Sequence, residues 1–222
     1  FAVCFDEGLN MKLPIGYDDF GAVVANQLNF VDKSLFVKAV LEDPAQVILI
    51  TRPRRFGKTF NLSLLHYFLA SEVDGQPTAS LFSGLKISQD SACMAQQGHY
   101  PVINLSFKDI KARKYEDAFD KLRMMMAEIY LDHAFLLDTG IFHSHEAIYY
   151  QSILKERANQ NQLEVSLARL SEYLYRFHQV KPFILIDEYD TPLQCADMHG
   201  YYEAMVELIR GFLSAALKNN RY

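Results

Sequence analysis

The chain of 222 residues carries 22 Lys and Arg against 27 Asp and Glu, a formal net charge of −5. Hydrophobic residues make up 50% and charged residues 22%, which excludes a disordered chain, a collagen-like repeat and a disulfide scaffold and makes a packed globular domain the expectation. Cys4, Cys93 and Cys195 lie far apart with no Cys-x-x-Cys spacing, so reduced, buried thiols are expected in place of a disulfide framework or a zinc knuckle. No apolar run approaches the roughly 20 residues of a membrane span, and the first residues lack the pattern of a signal peptide. A cytoplasmic location without membrane association is the expectation.

From Phe1 to Asn29 the pattern is irregular, punctuated by Pro14, Gly16 and Gly21, and reads as a loop-rich lead-in with one short helix. Asp32 is placed to cap a helix from about Lys33 to Leu41, on which Leu35, Phe36, Ala39 and Val40 have helical spacing. Val47, Ile48, Leu49 and Ile50 form a continuous apolar run, as in a strand buried on both faces of a parallel sheet. A tight turn follows, and then a helix with Phe60, Leu64, Leu65, Phe68 and Leu69 on one side. Residues 74–84 read as a loop. A second strand is predicted over 101–107 and a long helix from about Tyr115 to Leu137, with Phe119, Leu122, Met126 and Ile129 on one stripe. His143, His145 and Glu146 fall in the loop expected next, where a solvated surface is favoured over a metal site because no Cys or His cluster accompanies them. Leu163, Leu167, Leu170, Leu174 and Phe177 mark another helix, Phe183 to Ile186 a third buried strand, and Met205, Leu208, Ile209, Phe212, Leu213 and Ala216 a last helix.

Strands separated by long helical stretches predict an α/β fold with a mostly parallel sheet and helices on both faces. Ligands in such sheets bind at the carboxyl ends of the strands. Two charged clusters sit there. Between Pro44 and Ser71 there is no acid, while Arg52, Arg54, Arg55 and Lys58 crowd into seven positions. This stretch is +4, and the remaining 18 basic against 27 acidic residues leave −9 elsewhere. A basic island on an acidic background suits a local anion site better than a broad nucleic-acid surface, so direct nucleic-acid binding is not expected.

Gly57-Lys58-Thr59 has the residue types of a phosphate-binding loop. Gly57 lets the backbone approach a phosphate, the following helix start offers free N–H groups, Lys58 reaches the terminal phosphates, and the Thr59 hydroxyl can ligate Mg²⁺. The usual pattern has a Gly five places before Gly57, where this chain has Arg52. For Arg54 and Arg55 two readings stand, a phosphate or acidic partner and the solvated surface commoner for such residues. At the end of the third strand, Asp187 and Glu188 fit a nucleotide hydrolase in which Asp187 holds the Mg²⁺ shell with Thr59 and Glu188 polarises the attacking water. The competing reading is an acidic turn whose carboxylates cap the next helix. The guanine signature Asn-Lys-x-Asp is absent, which favours ATP. Asp197-Met198-His199-Gly200 imitates a GTPase Asp-x-x-Gly, but no predicted strand precedes it.

The strings Thr51-Arg-Pro-Arg-Arg-Phe-Gly-Lys-Thr-Phe-Asn-Leu-Ser and Phe183-Ile-Leu-Ile-Asp-Glu-Tyr-Asp-Thr-Pro, with Leu13-Pro-Ile-Gly, Phe30-Val-Asp-Lys and Pro101-Val-Ile-Asn-Leu-Ser-Phe, resemble the bacterial and archaeal AAA-ATPase-like family from Leu13 onward. The resemblance implies a three-layer α/β/α P-loop NTPase using ATP and Mg²⁺, with an extra strand between the two motif-bearing strands. Arg at the position of Arg52 is usual in that family. The implied nucleotide-contacting segment is Arg52, Pro53, Arg54, Arg55, Phe56, Gly57, Lys58, Thr59 and Phe60. Lys58 and Glu188 take the catalytic roles, and Thr59 and Asp187 the metal roles. Asp32 and Lys33 match a family motif whose job the residues do not reveal. Many full-length members carry a C-terminal domain resembling PD-(D/E)xK nucleases, which makes such a domain the expected partner. Residues 1–45 are read as a lead-in and first helix packed on a core of residues 46–222. A start without Met and an end soon after the last helix read as a fragment that stops before the sensor strand. Two functions are carried forward: an ATPase coupling nucleotide state to an effector, and a nucleotide-binding switch with little turnover.

Overall fold

The computed structural model describes residues 12–51, 53, 56–218 and 220–222. It is α/β, with 56% helix and a small parallel sheet, and its contacts divide into two compact units, Phe1–His99 and Tyr100–Tyr222.

In the first unit the helices are α1 (Phe20–Ala25), α2 (Leu35–Glu42), α3 (Lys58–Leu69) and α4 (Ser91–Met94), with a short antiparallel hairpin of β1 (Glu72–Val73) and β2 (Gln76–Pro77). Phe20, Val23, Val37, Leu64, Leu65, Phe68, Leu69, Phe82 and Ile87 are its buried core. Four of the five apolar residues assigned to one side of the third helix are thus buried. The fifth, Phe60, is half-buried and packs its ring 6.0 Å from Phe20 and 5.5 Å from Phe30. Asp19 joins α1 to α3: its Oδ1 accepts the Ala22 amide at 2.7 Å and the Tyr67 hydroxyl at 3.2 Å, and its Oδ2 accepts the Ser63 hydroxyl at 3.0 Å. The approach is close enough that a Cβ on Gly21 would stand 2.5 Å from the Tyr67 ring.

The strand expected at Val47–Ile50 is not formed. These residues lie outside any strand, with exposures of 51, 40, 66 and 41%. An apolar run encodes a preference for burial, but a strand exists only where a neighbouring strand satisfies its amides and carbonyls, and among the described residues this run has none. The helix expected from Lys33 begins at Leu35, with Ser34 at the N-cap.

The second unit runs β3 (Val102–Ser106), α5 (Tyr115–Asp132), α6 (Ser144–Leu154), α7 (Gln160–Glu164), α8 (Ser166–His178), β4 (Phe183–Asp187), α9 (Thr191–His199) and α10 (Tyr202–Leu217). β3 and β4 pair in parallel, with Ile103 opposite Ile184, Leu105 opposite Ile186 and Ser106 opposite Asp187. Ile103 and Leu105 are buried and Asn104 and Ser106 exposed, the alternation of a strand with one face on the core. Ile103 and Leu105 share one buried cluster with Leu122, Met126 and Ile129 of α5, which packs on β3, and with Leu167, Leu170 and Leu174 of α8 and Met205, Leu208 and Phe212 of α10. The long helix ends at Asp132, five residues earlier than expected, and the chain tightens into a 3-10 turn over Ala134–Asp138. The segment from His143 is no open loop, because α6 starts at Ser144.

Tyrosines hold the inner side of this unit together. The fully buried Tyr150 hydroxyl donates to the carbonyls of Tyr130 at 2.7 Å and His133 at 2.9 Å, and the Tyr130 hydroxyl donates to the Ser166 carbonyl at 2.8 Å. Tyr150→Phe keeps the ring and strips a donor from two buried carbonyls. It is expected to lower stability by about 1 to 2 kcal/mol, a fall of roughly 2 to 8 °C in Tm. A thermal unfolding curve that coincides with that of the parent would remove this hydroxyl from the forces holding α6 on α5.

Candidate functional site

α3 begins immediately after Gly57, whose φ of +73° is left-handed and whose surroundings leave nothing within 4 Å of where a Cβ would lie. Glycine reaches this conformation without steric penalty. Among the described residues no side chain caps the helix and no acid stands in its first turn, so the positive end of its dipole faces no carboxylate of that turn and favours an anion. Lys58 is exposed and Thr59 half-buried on that first turn. Pro53 is exposed, and so is Phe56, at 60%. Phe60 spends its ring on the aromatic core, so only its backbone is left to face a ligand. Arg52, Arg54 and Arg55 lie outside the described residues. The glycine turn and the helix start that the sequence predicts are therefore present, while the strand expected before them is not.

In the second unit, β4 delivers Asp187 and Glu188 to the carboxyl edge of the sheet. The ladder continues one step past β3, where the Phe107 amide donates to the Asp187 carbonyl at 3.1 Å. Asp187 is half-buried and its Oδ1 accepts the Glu188 amide at 3.0 Å. Glu188 is exposed and stands at φ +50°, a left-handed position on a residue with a full side chain. Its carbonyl accepts the Thr191 amide at 3.0 Å, and its Oε2 accepts the Thr191 hydroxyl at 3.1 Å. Of the two acids whose capping was the competing reading, Asp187 reaches only the Glu188 amide, while Glu188 meets the first residue of α9 through the Thr191 hydroxyl; Asp190 occupies the N-cap of α9, but its side chain makes no cap bond and accepts Gln194 Nε2 at 2.6 Å.

Gly57 to Phe60 belong to the first unit, and Asp187 and Glu188 to the second. Among the described residues no three His, Cys, Asp or Glu side chains are grouped to hold a metal ion.

The remaining singled-out residues serve the fold. Glu146 is buried at 5% exposure; its Oε2 accepts the His143 amide at 2.9 Å and pairs with Arg176 at 3.0 Å. His143 and His145 stack ring on ring, 6.0 Å apart. Asp32 accepts the Ser34 amide at 2.8 Å on Oδ1 and the Lys86 amide at 2.7 Å on Oδ2, while the Ser34 hydroxyl accepts the Ile87 amide at 3.0 Å. Two residues before α2 thus cap a 3-10 turn (Lys86–Gln89) more than fifty positions away. Nothing local in the sequence signals this, because the amides come from a distant segment. Cys93 and Cys195 are buried free thiols, and Cys4 lies outside the described residues. Among the described residues no helix is long and apolar enough to cross a membrane.

A family model described as a predicted AAA-ATPase, AAA-ATPase-like, matches residues 14–222. Among curated proteins and among solved structures, none matches the chain.

Asp32 offers a pH test of its bridging role. Burial alone would raise its carboxyl, but hydrogen bonds from the Ser34 hydroxyl and the Lys86 and Ser34 amides, helped by the Lys86 charge, outweigh it and hold the group below its ordinary value of 3.8. A carboxyl depressed on folding stabilises the fold above its unfolded value and ceases to do so as pH falls through the folded one. Asp32→Asn is therefore expected to unfold at lower urea than the parent at pH 7, with the two midpoints converging as pH drops below about 4. A gap that persists undiminished at pH 2 would mean the charge plays no part in the bridge.

Proposed function

The chain belongs to the AAA-ATPase-like family, and on that premise we propose that it binds Mg²⁺-ATP at the Gly57 turn and hydrolyses it with the help of Glu188. On this reading its nucleotide state drives an attached effector domain or partner, with a nuclease-like domain as the candidate. The observation that carries the proposal is the start of α3: an uncapped helix opening on a left-handed glycine, followed by Lys58 and Thr59. A glycine turn that lets a ligand approach the backbone, the positive end of a helix dipole, an ammonium group and a hydroxyl converge there on one kind of ligand, a phosphate chain.

Each residue has one task in this reading. Lys58 neutralises charge on the terminal phosphates, and the Thr59 hydroxyl and Asp187 carboxylate are the oxygens that would hold Mg²⁺. The bound ion supplies charge neutralisation at the phosphate oxygens. Glu188 orients and polarises the attacking water and receives its proton. Pro53, Phe56 and the backbone of Phe60 border the phosphates, with Arg52, Arg54 and Arg55 as further cationic contacts. The three-layer P-loop fold belongs to the same proposal, supported by the parallel β3–β4 pair and by the acids at its carboxyl edge.

Binding and turnover separate experimentally. Saturation at 100 times Kd stabilises a protein by about 2.7 kcal/mol, which for a chain of this size raises Tm by roughly 5 to 10 °C. Mg²⁺-ATP is expected to give that shift in the parent and in Glu188→Gln but not in Lys58→Ala. Phosphate release is expected in the parent and to fall to a residual rate about a hundredfold or more lower in Glu188→Gln. A shift in the parent without phosphate release would leave a nucleotide-dependent switch, and an equal shift in Lys58→Ala would remove the phosphate loop from the account.

A further inference from the structure

Glu188 is tied at three points. Its amide donates to Asp187 Oδ1 at 3.0 Å, its carbonyl accepts the Thr191 amide at 3.0 Å, and its Oε2 accepts the Thr191 hydroxyl at 3.1 Å. Thr191 therefore grips both the backbone and the carboxylate of the same residue. Its hydroxyl has no other hydrogen bond among the described residues. It is the first residue of α9, so its own backbone is fixed by the helix it opens.

From this geometry we propose that Thr191 is a positioning residue for the reaction, setting the Glu188 carboxylate for water activation; the inference rests on the role given to Glu188 above. An exposed glutamate has three side-chain torsions and, left untethered, distributes its carboxylate over many rotamers. The Thr191 hydroxyl occupies Oε2 and leaves Oε1 as the acceptor toward water. Because the same threonine also holds the Glu188 carbonyl, the carboxylate is fixed relative to the end of β4 and not merely to a mobile turn. The left-handed backbone at Glu188 (φ +50°) folds the chain back so that a contact only three residues along can close.

The experiment compares Thr191→Val, which keeps the β-branched shape and removes the donor, with Thr191→Ser, which keeps the donor, by steady-state phosphate release and Mg²⁺-ATP melting. Thr191→Val is expected to lower kcat about ten- to a hundredfold, the scale of loss for a misplaced reacting group, with the KM for ATP and the ATP-induced Tm shift within twofold of the parent. Thr191→Ser is expected to restore kcat to within about threefold. In the Glu188→Gln background, Thr191→Val is expected to cause no further loss. An unchanged kcat in Thr191→Val, a loss that serine does not rescue, or a loss that multiplies with that of Glu188→Gln overturns the positioning role while leaving the hydrolysis reading intact. A parent without phosphate release overturns the hydrolysis reading itself, and the positioning role falls with it.

Discussion

The parallel pairing of β3 with β4 is the constraint on which the second unit depends. Two parallel strands cannot be joined by a tight turn, so the chain must travel back along the sheet through residues 107–182 before β4 can start. Those residues are α5 to α8, and their apolar stripes have a place to go only because the sheet presents Ile103 and Leu105 to them. The same pairing puts both strand ends on one edge, Ser106 opposite Asp187. Where the acids stand is thus a consequence of topology: any residue directly after β4 emerges at that edge, and the chain uses the position for two carboxylates.

Several acids elsewhere have their oxygens committed. Asp19 takes an amide and two hydroxyls, Asp32 takes two amides from separate segments, and Glu146 takes an amide and an arginine. Glu146 is buried, where a carboxylate without such partners would be strongly unfavourable, and Asp19 and Asp32 are half-buried; all three trade reactivity for placement. Asp187 and Glu188 differ in that their bonds run to their own turn and secure the local backbone, not a remote element. An acid that is locally braced and still partly exposed is suited to meeting a ligand, whereas an acid consumed in bridging two segments is suited to holding them.

Much of the helical core was legible because burial and period agree. Leu64, Leu65, Phe68 and Leu69 in α3, and Met205, Leu208, Ile209 and Phe212 in α10, recur at three- and four-residue spacings and are buried as the spacing implies. The strands at 102–106 and 183–187 were legible from short apolar runs bounded by Pro101 and Pro182. The run at 47–50 has the same signature and forms no strand, since composition cannot supply a pairing partner. α6 was missed for the opposite reason. It opens on polar residues, and its apolar ones do not share a stripe: Tyr150 and Ile153 are buried while Ile148 is 72% exposed. The division at His99–Tyr100 was silent too, flanked by Gly98 and Pro101 but by no polar linker. Of the candidate site, the residue types and the glycine turn were legible. The grip of Thr191 on Glu188 was legible only as one of two equal readings, a partner of the acidic cluster or ordinary capping at a helix start, because the sequence does not show which atom the hydroxyl meets.

The turns at Gly57 and at Glu188 solve one geometric problem in different ways. Each needs the chain to reverse sharply into a helix, and each does so with one left-handed residue, Gly57 before α3 and Glu188 just before α9. At Gly57 glycine carries the turn without steric cost, and on the proposed function its missing side chain also lets a phosphate approach the backbone. At Glu188 the proposed function needs the side chain itself, and glycine is not an option. The left-handed conformation of a residue bearing a Cβ costs about 1 to 2 kcal/mol, and the bonds to Asp187 and Thr191 are positioned to offset it. Backbone strain persists only where its surroundings fix it. Gln27, Asp74, Glu156 and Gln179 share this left-handed backbone, so at Glu188 it is not the φ by itself but its combination with the two bonds from Thr191 that ties the conformation of the turn to its proposed chemistry.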